Sequence, residues 1–250
     1  MTAILDQVAR SSLHLRHGRV RPRTTDEFFC LRLAAKLGDS SAAQHYLELA
    51  EHFSRNQLLV AYRRAVASRV HHDLPRRFHV ELEPLRHRDG DNGNGREISS
   101  LLSIRIDRRA VAVALFTGDH LDYTQPRQLS SSPQKAVAST VTFISRNVER
   151  CEIESAALES IPNGDQRQRL LLQQAAVRVL TEQSVSIVEV SKGDLFDASG
   201  YPPLHARKEI RQIASQIWPA LDGEPGSPWT HDAAMLGLYV QTERLLDVIN

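Results

Sequence analysis

Residues 100–129, "SLLSIRIDRRAVAVALFTGDHLDYTQPRQL", constrain the fold more than any other part of the chain. "LLSIRID" and "VAVALFT" are β-branched and apolar runs of strand length, "GDH" is a tight-turn signal, and "LDYTQPRQL" alternates apolar and polar residues. The stretch therefore predicts an antiparallel meander of three strands. Its Asp107 closes an apolar run, between Ile106 and a basic pair. An unpaired carboxylate buried in a strand is costly, so Asp107 is expected either to bind a cation or to pair with Arg105, Arg108 or Arg109.

Downstream, the hydrophobic period switches between helix and strand. "SPQKAVASTVTFISRNVE" predicts a helix with a Ser-Pro start, "RCEIESA" a short strand and "NGDQRQRLLLQQAAVRVLTEQ" a longer helix. "SVSIVEVS" reads as a strand, "ARKEIRQIASQIWPAL" as a helix, "DGEPGSPW" as a loop and "HDAAMLGLYVQTERLL" as a last helix. The order is βββαβαβαα.

The first part of the chain differs. Residues 26–69 place Phe29, Leu33 and Leu37, then Tyr46, Leu49 and Phe53, at helical spacing. "GDSS" at 38–41 interrupts them, which predicts a helical hairpin with a third short helix. "RHRDGDNGNGRE" at 86–97 is polar, glycine-rich and linker-like. The expected domains are therefore a helical, Arg/His-rich region over 1–97 and an α/β domain over 98–250. "RRFHVELEPL" before the linker reads as a strand that could belong to the sheet. Residues 1–97 also hold an excess of basic residues and eight of the 11 histidines. Arg63 and Arg64 on the third helix could meet phosphates or form a solvated face.

Composition excludes several classes. The 250 residues carry a formal net charge of +1, so any polyanion must be met by local patches rather than by a global field. Two distant cysteines give no disulfide framework or zinc motif, and a reducing cytoplasm is the default. No apolar run is long enough to span a membrane. Phosphate-loop, nucleophile-elbow and His-Glu-x-x-His signatures are all missing, and "DGDNGNGRE" lacks the twelfth-position glutamate of a calcium loop.

The βββαβαβαα order, with four short stretches, resembles the RuvC Holliday-junction resolvase branch of the ribonuclease H-like superfamily over roughly 100–246. "SIRID" resembles its first strand, placing Asp107 on the metal-binding aspartate. "CEIESA" resembles its Ile-Glu strand; Glu152 and Glu154 share a strand face, so either could be a ligand or point to solvent, and the resemblance places Glu154 on the glutamate. In "HARKEIRQI", Lys208 falls on the family's lysine, and "HDAAMLGLYV" resembles the acidic helix start, beginning at Asp232. That resemblance implies a mixed sheet of three antiparallel strands continued by alternating α/β, and Mg²⁺ or Mn²⁺ held by Asp107, Glu154 and Asp232. It further implies a homodimeric endonuclease cutting branched DNA in recombination or repair in a bacterial cytoplasm. His231 could add a ligand, and Lys208 could touch a phosphate or simply solvate its helix.

The pattern departs from the family at two points. "RRA" follows Asp107, and Met235 stands where a fourth acid is expected. A degenerate, non-cleaving nucleic-acid-binding or interaction protein is therefore the alternative expectation. An actin-like or sugar-kinase phosphotransferase is a remote third, because such proteins need two such domains and glycine-rich phosphate loops.

Overall fold

The computed structural model describes residues 19–38, 43–67, 100–118, 120–151, 153–161, 167–223 and 226–247, with side chains at 64–67 excepted. The strand expected over "RRFHVELEPL", the linker and the side chain of Arg64 lie outside the described residues.

Five strands form one sheet in the order β3-β2-β1-β4-β5. β1 (Ser100–Ile106), β2 (Ala110–Thr117) and β3 (His120–Gln128) form the antiparallel meander, while β4 (Ser155–Glu159) and β5 (Ser186–Val190) add in parallel. Three antiparallel strands continued by a parallel pair on the far side of β1 is the ribonuclease H-like sheet that the element order implied.

Burial follows from position. β1 is central, and every residue from Leu101 to Ile106 is buried because both faces are covered. Its odd positions Leu101, Ser103 and Arg105 face the last helix, whereas Leu102, Ile104 and Ile106 join the core on the other side. β3 is the edge strand and is largely exposed or half-exposed along its length.

One face is covered by α4 (Pro133–Cys151) and α5 (Arg167–Glu182). The other is covered by α6 (Lys192–Ala198), α7 (Arg207–Ile217) and α8 (Ser227–Asp247). α8 lies very close to the sheet. At Gly237 an added Cβ would overlap the fully buried Phe116 ring of β2, so this position admits no side chain without a shift.

The N-terminal helices α1 (Thr25–Lys36), α2 (Ala43–Leu49) and α3 (Arg55–Ala67) build a small core of their own around Phe29, Tyr46 and Leu58. Thr24 caps α1 by accepting from the Glu27 amide at 3.0 Å, and Gly38 follows α1 at φ +72°. The group is bound to α8: Leu246 enters its core, Arg32 meets Glu243 at 2.7 Å, and Lys36 meets Asp247 at 2.6 Å. Phe28 of α1 enters the core beneath α8.

Two expectations need correction. The strand expected over "RCEIESA" begins later, because α4 continues to Cys151 and the buried, small-residue run "SAALE" is what fits between β1 and β5. α6 has no counterpart in the expected element order; Ser191 caps it by accepting from the Asp194 amide at 3.0 Å, and Gly193 inside it weakens the helical signal.

Candidate functional site: an arginine–carboxylate cluster at the end of β1

Period-two alternation places Ser103, Arg105 and Asp107 on one side of β1, under α8. Ser103 Oγ donates to the Ala233 carbonyl at 2.6 Å, which docks α8 on the strand and brings Asp232 to the height of Arg105. Parallel pairing of Ile104 with Leu158 sets the next residues, Arg105 and Glu159, side by side. Arg105, Glu159 and Asp232 are thus gathered by sheet register and one helix contact. All three are buried, with Asp232 1% exposed.

Guanidinium groups fill the space between these carboxylates. Arg105 lies 3.3 Å from Glu159 Oε1 and 3.4 Å from Asp232 Oδ2. From the start of α7, Arg207 donates to Glu159 Oε1 at 2.6 Å and reaches Asp232 at 3.6 Å. One turn later, Arg211 binds Asp232 in a bidentate fork at 3.1 and 3.0 Å. Arg169 of α5 adds a fourth cation 3.6 Å from Glu159 while its Nε donates to the Ile106 carbonyl at 3.0 Å.

The electrostatics follow from this crowding. Burial pushes the Arg105 pKa down, and Arg207 and Arg169 push the same way, while Glu159 and Asp232 oppose them. The fork to Asp232 raises Arg211 against the cost of burial, with a smaller contribution from the Asp107 charge. Arg105 Nε and Nη1 and Arg207 Nη1 have carboxylates within 4 Å but no hydrogen bond of good geometry.

Asp107 stands one residue beyond β1 rather than inside it, and it is half-buried. Its amide donates to the Ala110 carbonyl at 2.8 Å, closing the β1–β2 turn. Its Oδ1 faces the Arg109 amide at 3.4 Å, a local side-chain-to-backbone contact typical of turns.

Glu154 does not converge with Asp107. It precedes β4, is exposed, and its amide donates to Ser100 Oγ at 3.3 Å, at the opposite end of β1. At ~3.3 Å per residue the two lie roughly 20 Å apart along the strand direction. The carboxylate at the Asp107 end of β4 is Glu159. The expected pairing placed the strand five residues too early; "ALE" at 157–159 is the signal, because an acid closing a run of small buried residues mirrors Asp107 after "SIRI".

The other expected residues separate. His231 is buried beside Asp232 but faces Asp222, with Nε2 3.3 Å from Oδ1, and burial lowers its pKa. Asp232 lies inside α8, which starts at Ser227. Lys208 is exposed on α7 between the two arginines that enter the cluster, and Arg63 is exposed on α3. Sequence reasoning missed Arg207 and Arg211, although their i, i+4 spacing on an amphipathic helix already puts them on one face.

Mg²⁺ and Mn²⁺ require carboxylate oxygens free to turn toward the ion. Here Glu159 and Asp232 are taken up by four guanidinium groups, and no group of three acidic, His or Cys side chains among the described residues is arranged to hold a metal. The donor set does not fit a divalent ion.

A ribonuclease H-like α/β sheet with an arginine–carboxylate cluster at the end of its first strand is thus the class defined by fold and site. No family model and no curated protein sequence matches the chain. Among solved structures, the chain is similar to the T. thermophilus RuvC in complex with Holliday junction substrate, at 14% identity over 58% of this chain and 95% of that one, with a TM-score of 0.49. A second Thermus thermophilus RuvC structure has 12% identity over 59% and 96%, TM-score 0.49. The yeast mitochondrial Holliday junction resolvase Ydc2 has 9% identity over 61% and 85%, TM-score 0.44.

Proposed function

We propose that this chain is a non-cleaving nucleic-acid-binding protein on a ribonuclease H-like scaffold, in which arginines take the place that metal ions would fill in a nuclease. The single observation that carries the reading is the pairing of Asp232, whose side chain is fully buried, with Arg105, Arg207 and Arg211. Carboxylates neutralised this way neither collect Mg²⁺ nor activate a water.

The same end of the sheet is rich in cations. Arg108 and Arg109 are exposed in the β1–β2 turn, Lys208 is exposed on α7, and Arg211 remains 35% exposed at the rim of the cluster. Among the described residues, positive side chains outnumber carboxylates there, which suits contact with a phosphate backbone. DNA, with branched DNA first, is the partner to test.

Three carboxylates, Asp107, Glu159 and Asp232, do share this end, and that favours metal-dependent cleavage as a second reading. One experiment separates the two. A labelled four-way junction, linear duplex and single strand are incubated with the protein in Mg²⁺, Mn²⁺ or EDTA, with binding and nicking read together. The proposal expects binding that survives EDTA and no nicking. Metal-dependent nicking that Asp107→Asn abolishes would overturn it.

A further inference from the structure

A second cationic feature lies on the opposite face of the sheet. Between the edge strand β3 and helix α4 runs an open cavity of about 400 Å³, with Arg127, Arg146 and Arg150 among its lining residues. Gln125 and Thr142 add uncharged polar groups, and Phe143 gives an apolar floor. Among the described residues, the lining contains no carboxylate.

Among the described residues no carboxylate forms an ion pair with its arginines. Arg127 has one weak contact, to Ser139 Oγ at 3.4 Å. Arg146 and Arg150, both exposed on α4, face no carboxylate within ion-pair distance among the described residues. Among the described residues, Glu149 beside Arg150 accepts from Ser145 at 3.0 Å and from Gln183 at 3.3 Å. The floor is fixed, because Asn147 donates to the Phe143 carbonyl at 2.8 Å and accepts from the Tyr123 hydroxyl.

The groove is continuous with the basic end of the sheet. Arg127 pairs in register with Val111, and the Leu129 amide donates to the Arg109 carbonyl at 2.8 Å, so Arg127 stands beside the β1–β2 turn that carries Arg108 and Arg109. From Ser139 the helix leads to Arg146 and Arg150. These lie four residues apart on one helix face, roughly 6 Å along the axis. That step is close to the spacing of successive phosphates in a strand.

We infer that the β3–α4 groove binds consecutive backbone phosphates of a nucleic-acid strand through Arg127, Arg146 and Arg150, extending the contact from the β1–β2 turn around the sheet edge. The inference rests on the nucleic-acid-binding reading above. The track is sequence-independent, since guanidinium groups reaching phosphates read no bases.

The test is a triple variant, Arg127→Ala/Arg146→Ala/Arg150→Ala, with Arg178→Ala as a control at an exposed helical ion pair. Thermal unfolding first establishes that both remain folded, as expected for exposed side chains. Anisotropy with a labelled junction and a single strand is then measured across a salt series. The triple variant should lose roughly 10- to 100-fold in affinity, with a salt slope shallower by about 2 to 3, and the control should match wild type.

Wild-type binding with the same affinity and slope in the triple variant overturns the groove assignment and leaves the binding reading intact. Failure of wild type to bind any nucleic acid at low salt removes both. A calorimetric arm titrates inorganic phosphate and ATP. Binding of either that the triple variant loses, with DNA affinity unchanged, would assign the groove to a small phosphate compound instead and also overturn the inference.

Discussion

Replacing Asp232 with asparagine separates an arginine cluster from an empty metal site by the sign of the stability change. In the structure the Asp232 side chain is fully buried and meets Arg105 at 3.4 Å, Arg207 at 3.6 Å and Arg211 at 3.0 Å. Asp232→Asn keeps the shape but removes the carboxylate that holds Arg211 and one of the two that Arg105 and Arg207 share, leaving three guanidinium groups around Glu159 alone. Breaking a buried pair from one side costs about 3–5 kcal/mol. Arg211 is 35% exposed and can rehydrate, so the cost falls mainly on Arg105, at 6%, and Arg207, at 17%. That argues for the lower end, about 3 kcal/mol. For a domain of this size about 2–4 °C accompanies each kcal/mol, which gives a fall in Tm of about 6–12 °C.

Carboxylates awaiting a metal behave in the opposite way: they repel, and neutralising one leaves stability unchanged or improved. Circular dichroism melts of wild type and Asp232→Asn, with and without millimolar Mg²⁺, decide between the two. An unchanged or raised Tm in the variant, or a wild-type Tm raised by Mg²⁺, would refute the reasoning. The paired variant Arg105→Met/Asp232→Leu should recover part of the loss, because removing both partners of a buried pair is far milder than removing one.

Further outcomes follow from other parts of the molecule. Glu154→Gln, at an exposed position far from the cluster, should shift stability by no more than about 0.5 kcal/mol and leave nucleic-acid affinity unchanged, as read by urea melts and anisotropy. Gly237→Ala should destabilise by about 1–3 kcal/mol, because the new methyl meets the Phe116 ring; a neutral result in the same melt would contradict the close packing of α8 on β2. Burial pushes the Cys30 thiol up to about 12, so alkylation of native protein should spare Cys30 and modify it only after unfolding, as mapped by mass spectrometry. For His231, burial lowers the folded pKa below its unfolded value, so its neutral form contributes stability that is present above the unfolded value, near pH 6.5, and lost as pH falls through the folded one. His231→Gln should flatten that part of the stability–pH curve.

The sequence by itself determined the strand meander, the alternation that follows and the helical N-terminal group, because apolar period and turn residues are local properties that survive in one dimension. It marked Asp107 as an acid closing an apolar run, and Asp232 through the resemblance of "HDAAMLGLYV" to the resolvases' acidic helix start. It misplaced β4, since "RCEIESA" and "SAALE" carry similar strand signals and only pairing with β1 and β5 selects the second. That choice moved the relevant carboxylate from Glu154 to Glu159.

Which partners the carboxylates take was decided by tertiary structure alone. Arg105, Arg169, Arg207 and Arg211 come from β1, α5 and α7; the sequence offers Arg105 only as a partner for Asp107, and the other three read as ordinary helix-surface residues. Register sets Arg105 beside Glu159, and the Ser103–Ala233 contact lowers Asp232 onto them. Burial then makes the pairing obligatory, because in a site shut off from water a carboxylate must find a cation, and this fold supplies guanidinium groups.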